Sequence, residues 1–84
     1  MINLNSKNSL ATKSLAKEFI SLPINSRIKT ITDYSSIIGV ARGTIQNSIK
    51  LMRTNGALEI KSKGHLGSFL VYKDLNLLLA FADI

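Results

Sequence analysis

Arg42, Gln46, Lys50 and Arg53 recur at intervals of three and four, which places them on one face of a helix with Gly43 and Asn47 beside them. These side chains can read or grip a duplex nucleic acid. A guanidinium can bond guanine bidentately, and the amides of Gln and Asn can do the same for adenine. Lys and Arg also neutralise phosphates. Other chemistries are poorly supplied. The chain has no Cys, so disulfides, thiolate zinc sites and cysteine nucleophiles are excluded together. A single histidine, His65, and five carboxylates without a clustered pair build no acid–base or metal constellation. The composition therefore speaks for a protein that is not an enzyme and needs no cofactor or metal.

A polar face needs a buried one. Ile45, Ile49 and Met52 stand at i, i+4 and i+7 and predict a helix over residues 41–55, stopped by Asn55-Gly56, where glycine accepts the left-handed turn. On an isolated helix such a polar face is ordinary wet surface, so its neighbours decide its meaning. Upstream, Thr30 opens another helix with Asp33 three residues on, a variant capping box. Ile31, Tyr34 and Ile38 share one side of it, with Ile37 adjacent, and Gly39-Val40 closes it. Two short helices joined by a glycine-containing turn are the order of a helix-turn-helix. Downstream of Gly56 the period becomes alternating. Leu58, Ile60 and Ser62 point one way, and Glu59, Lys61 and Lys63 the other. Gly64-His65-Leu66-Gly67 supplies a hairpin turn, and Ser68-Phe69-Leu70-Val71-Tyr72 returns as the second strand of a wing over residues 57–72.

The remaining chain frames this unit. Residues 1–8 are polar enough for a loose arm. A first helix from Ser9 to Leu22 carries Leu15, Phe19 and Leu22 on one face, with Ala11 and Ile20 flanking, until Pro23 ends it. Arg27-Ile28-Lys29 reads as a short extended segment. After the wing, Asp74 caps a nearly all-apolar helix containing Leu75, Leu77, Leu78, Leu79, Phe81 and Ile84. Such a segment requires a partner surface: the first helix, its counterpart in a dimer, or a further domain. Tyr34 and Tyr72 read as core-edge residues, and Leu51, facing away from the Ile45–Met52 stripe, as packing under the wing. The expected fold is mainly α with a small β-hairpin. It is a winged helix-turn-helix over residues 9–72, with an extra apolar C-terminal segment over 73–84.

With 84 residues the chain makes one domain with a barely sufficient core. Its net charge of +6 is uneven: residues 27–65 hold seven basic side chains against two acidic ones, whereas residues 66–84 hold one against two. Positive charge gathered on the mid-chain is the footprint of a polyanion-binding face. No apolar run is long enough to cross a membrane and no signal-peptide pattern opens the chain, so a cytoplasmic location is expected.

Residues 27–71 resemble the winged helix-turn-helix of GntR-type transcription regulators. Gly39-Val40-Ala41-Arg42-Gly43-Thr44-Ile45 stands where that family has Gly-Val-Ser-Arg-x-Thr-Val. Met52 to Gly56 matches its Leu-x-x-x-Gly, and Gly67-Ser68-Phe69-Leu70 its Gly-Thr-Phe-Val. Within that family the chain looks like the YhfZ-like proteins, in which such a module precedes a larger ligand-binding-type domain. The resemblance implies that Arg42 reads a base or clamps a phosphate, that Thr44 bonds the DNA backbone, and that Lys63, Gly64 and His65 form a wing tip entering the minor groove. It also marks departures. Lys29 and Thr32 stand where the family usually has Pro and Arg, Gln46 replaces a frequent Arg, and Ala41 replaces a capping Ser.

Two functions of different kind fit. One is a sequence-specific DNA-binding module that acts as a homodimer on double-stranded DNA. It would use Arg42, Gly43, Thr44, Gln46 and Asn47 toward bases or backbone, Lys50, Arg53, Lys61 and Lys63 toward phosphates, and Gly64 and His65 at the wing tip. An effector-binding domain outside this chain would complete it. The other is a winged-helix protein–protein interaction module without DNA readout, since folds do not fix functions.

Overall fold

The computed structural model describes residues 7–83. Helix α1 runs Lys7–Ser21 and is followed by α2 (Ile31–Ile38), α3 (Arg42–Thr54), strands β1 (Leu58–Ser62) and β2 (Ser68–Lys73), and α4 (Leu75–Ala82). Four helices and one antiparallel two-stranded hairpin make the winged helix-turn-helix with an added C-terminal helix. α1 opens at Lys7, before the Ser9 cap expected for it, and the rest of the expected arm lies outside the described residues.

α1 exists because Ala11, Leu15, Ala16 and Phe19 form one fully buried stripe. It stops short of Pro23, and Asn25 then turns the chain with a positive φ of 70°. The next residues pair with β2 as an extended edge: Asn25 donates to Leu70 O at 2.6 Å, Ile28 N to Ser68 O at 2.9 Å, and Leu70 N to Ser26 O at 2.9 Å. Arg27 and Phe69 face each other in this antiparallel bridge. The extended reading of Arg27-Ile28-Lys29 thus corresponds to a third, minimal edge on the wing.

α2 and α3 begin differently. The Thr30 hydroxyl accepts from Asp33 N at 3.0 Å, which satisfies one orphan amide of α2. Ala41 has no side-chain oxygen and leaves α3 without that bond. Gly39, at φ 81°, closes α2. α3 ends in a Schellman arrangement: Ala57 N reaches Met52 O at 2.9 Å and Gly56 N reaches Arg53 O at 3.0 Å. Gly56 supplies the positive φ of 78°, while Met52 and Ala57 are both fully buried beneath it.

The core lies where α1 crosses α3 under the foot of the wing. Ile45, Ile49, Met52, Leu58 and Leu70 close on the α1 stripe, and Phe19 meets Tyr34 edge-on at 6.1 Å. One buried polar pair bridges the helices, Thr12 Oγ1 donating to Ser48 Oγ at 3.1 Å. Tyr34 donates its phenol proton to Glu18 Oε2 at 3.2 Å and accepts from Lys29 N at 3.2 Å. Lys29 Nζ binds the same carboxylate oxygen at 3.1 Å. Burial, with the Glu18 charge adding to it, pushes the Tyr34 phenol well above its ordinary range, so it remains a donor.

The wing carries an irregularity that simple alternation does not foresee. Glu59 pairs with Tyr72 but Ile60 pairs with Leu70, leaving Val71 as the extra residue of a bulge. The loop between the strands is one 3₁₀ turn, Gly64–Leu66, closed by Lys63 N to Gly67 O at 2.8 Å. α4 is capped by Asp74, whose carboxylate accepts from Leu77 N at 3.1 Å. It packs on α1 through Leu78, Ala82 and partly Phe81, so α1 is the partner surface that α4 uses within the chain.

Three sequence expectations need correction. Leu51 is 47% exposed and does not pack under the wing. Tyr72 is likewise outside the core edge, at 52% exposure. Ile37, placed beside the apolar side of α2, stands 66% exposed. Helical spacing says which residues share a face, but the position of the neighbouring element decides how wide the covered stripe is.

Candidate nucleic-acid interface

The buried side of α3 dictates its outward side. With Ile45, Ser48, Ile49 and Met52 turned into the core, Arg42, Gly43, Gln46, Asn47 and Lys50 are all exposed and Thr44 is half-buried. The side chains of Arg42, Gln46, Asn47 and Lys50 have no hydrogen-bond or ion-pair partner among the described residues, so four polar groups on one helix face are left to solvent. Thr44 N bonds Ala41 O at 3.0 Å in the first turn.

Two shallow hollows follow this face. One is lined by Ile31 and Thr32 of α2 with Arg42, Gly43 and Gln46 of α3. The other runs from Ile31 and Gln46 past Lys50 and Arg53 to Glu59 of β1. Ile31 and Gln46 belong to both, so the start of α2, the length of α3 and the foot of the wing form one continuous surface. Lys61, Lys63, Gly64 and His65 line neither hollow; Lys61 stands exposed on β1, and Lys63, Gly64 and His65 stand exposed on the wing loop. Lys63 is held there, its Nζ lying 4.6 Å over the Phe69 ring, a cation–π contact that orients the ammonium while leaving it solvated.

Arg53 is not a free cation. Its guanidinium meets Glu59 Oε1 at 3.5 Å, with both side chains about half exposed. Such an exposed pair contributes on the order of 1 kcal/mol or less, yet it ties the end of α3 to β1 and puts a carboxylate on an otherwise basic face. Sequence reasoning missed Glu59 here, because nothing local links two residues on either side of a helix stop. It also missed Ile31 as a floor of the surface, having assigned it only to the side of α2 shared with Tyr34.

Among the described residues there is no group of three or more His, Cys, Asp or Glu side chains that could hold a metal. No described helix is long and apolar enough to cross a membrane.

A helix-turn-helix whose second helix bears an Arg–Gln–Asn–Lys face without partners among the described residues, followed by a hairpin with Lys61 on its first strand and Lys63 at its loop, defines a winged helix-turn-helix module with a basic face. A family model described as a helix-turn-helix domain matches residues 24–70. That match takes in more than half of the chain, and the protein belongs to this family. The chain is also 30% identical over 78 residues to the uncharacterized protein YhfZ of Escherichia coli (strain K12), across 93% of its own length. It spans only 26% of the length of that relative.

Proposed function

We propose that the chain is the sequence-specific DNA-binding module of a bacterial-type, GntR-type transcription regulator acting in the cytoplasm. α3 enters the major groove, and the wing lies on the neighbouring minor groove or backbone. Arg42, Gly43, Thr44, Gln46 and Asn47 face bases and the adjacent backbone, and Lys50, Lys61 and Lys63 face phosphates. Gly64 and His65 approach the groove from the wing tip. The observation that carries this reading is the exposed face of α3, where four polar side chains converge without partners among the described residues. A homodimer on a two-fold operator, joined to an effector-binding domain beyond this segment, completes the proposal.

The competing reading, a protein-interaction module, draws support from Ile37, which stands out beside a groove between α1 and α2. Fluorescence anisotropy of labelled duplex DNA over a salt series separates the two. DNA binding predicts affinity that falls steeply with salt, with a log–log slope of about −0.9 per phosphate contacted. No binding at low salt, either by the folded chain or by an artificially dimerised version of it, would leave the interaction reading standing.

Glu59 supplies a second check. Glu59→Gln removes the carboxylate from the basic face and releases Arg53. Affinity for duplex DNA is expected to rise up to about fivefold at low salt, while stability moves by roughly 0.5 kcal/mol or less, as for a surface substitution. Unchanged or weaker binding would show that the Arg53–Glu59 pair does not oppose DNA.

A further inference from the structure

Arg27 belongs to no helix and to neither hollow along α3, yet its side chain is placed with care. The bridge to Phe69 holds its backbone against β2. Its side chain then crosses the foot of the wing loop at Gly67. A Cβ on Gly67 would stand 2.7 Å from Arg27 Nε and 3.4 Å from its Cδ and Cζ. The guanidinium stem therefore lies directly on bare backbone, and any side chain at that position would displace it. Gly67 also has φ +100°, a conformation that side chains rarely adopt.

Among the described residues this cation has no ion-pair partner. Asp33 borders a shared hollow with it, but the guanidinium has no ion-pair or hydrogen-bond partner among the described residues. Another hollow, between Arg27, Thr30, Ile31 and Gly67, lies at the junction of α2 and the wing. Ile31 lines this hollow and both of those along α3. Through Ile31 the surface bearing Arg42, Gln46 and Lys50 adjoins the one at Arg27.

We propose that Arg27, seated on Gly67, is a phosphate-binding residue of the same DNA face, holding the nucleic-acid backbone between the start of α2 and the wing. The assignment rests on the DNA reading above. A guanidinium presents several donors in a fixed fork that suits phosphate oxygens, and resting the stem on backbone limits the freedom lost when the contact forms.

The test compares wild-type, Arg27→Gln and Arg27→Lys chains by anisotropy over a salt series, on a preferred duplex and on a scrambled one. Arg27→Gln is expected to flatten the log–log slope by about 0.9 and to weaken both duplexes by a similar factor, because a phosphate contact carries no sequence information. Arg27→Lys should keep the wild-type slope. A wild-type slope retained in Arg27→Gln would overturn the assignment while leaving the DNA reading intact. So would equal losses in both variants accompanied by a lower melting temperature, which would make Arg27 a support for the wing alone. Absence of binding by the wild type would overturn the DNA reading itself, and this assignment with it.

Discussion

Lys73→Met is expected to lower stability by about 2–3 kcal/mol, although Lys73 lines neither of the hollows along α3. Its Nζ donates to three backbone carbonyls, Phe19 O at 3.2 Å, Ile20 O at 2.8 Å and Leu22 O at 2.7 Å. An ammonium has three protons, and here each has an acceptor. Those carbonyls belong to the end of α1, where the last C=O groups of a helix lack amide partners and Pro23 offers none. A cation at that end is further favoured by the helix dipole. Methionine keeps the four-atom apolar stem but removes the charge and all three donors, leaving part-buried carbonyls unsatisfied. Hydrogen bonds to charged groups contribute roughly 1.5–3 kcal/mol and do not sum, hence the figure. In a domain of this size each kcal/mol moves the melting temperature by about 4–8 °C. Thermal unfolding followed by circular dichroism should therefore show a drop of roughly 10–20 °C. A drop of only about 2 °C would mean that solvent satisfies the α1 terminus just as well.

Arg42→Ala is the largest expected effect on binding. Specific DNA affinity should fall by about 1–3 kcal/mol, between roughly fivefold and more than a hundredfold, as expected for loss of a bidentate base contact. The helix itself should not suffer. Arg42 is exposed at the first turn of α3 and lacks a partner among the described residues, and a cation at a helix N-terminus is mildly unfavourable. Its removal should leave the melting temperature unchanged or slightly raised. Affinity for the preferred duplex that survives the substitution would remove Arg42 from base recognition. A loss equal on preferred and scrambled duplexes would instead make it a phosphate contact.

These two residues differ in how they could be found. Arg42 follows from the stretch around it, because the Ile45–Ile49–Met52 stripe fixes which way it points, and the glycines on either side limit the helix. The caps at Thr30 and Asp74 and the stops at Gly39 and Asn55-Gly56 were legible for the same reason: each is a bond or a backbone conformation set within about four residues. Lys73 reaches α1 across more than fifty residues, and no local pattern marks it. Arg27 on Gly67, Glu59 beside Arg53, and Thr12 against Ser48 are likewise meetings of distant segments.

Composition and spacing were thus sufficient for the element order, the turns between elements, and the polar face of α3, since short-range sterics and hydrophobic periodicity act along the chain. Only the packed molecule decided how those elements lie together: the packing of one face of α4 on α1, the exposure of Ile37 and Leu51, and the bulge at Val71. It also joined α2, α3 and the wing into one surface around Ile31. Such outcomes depend on which surfaces exclude water from one another, and that is a property of the whole core rather than of any stretch within it.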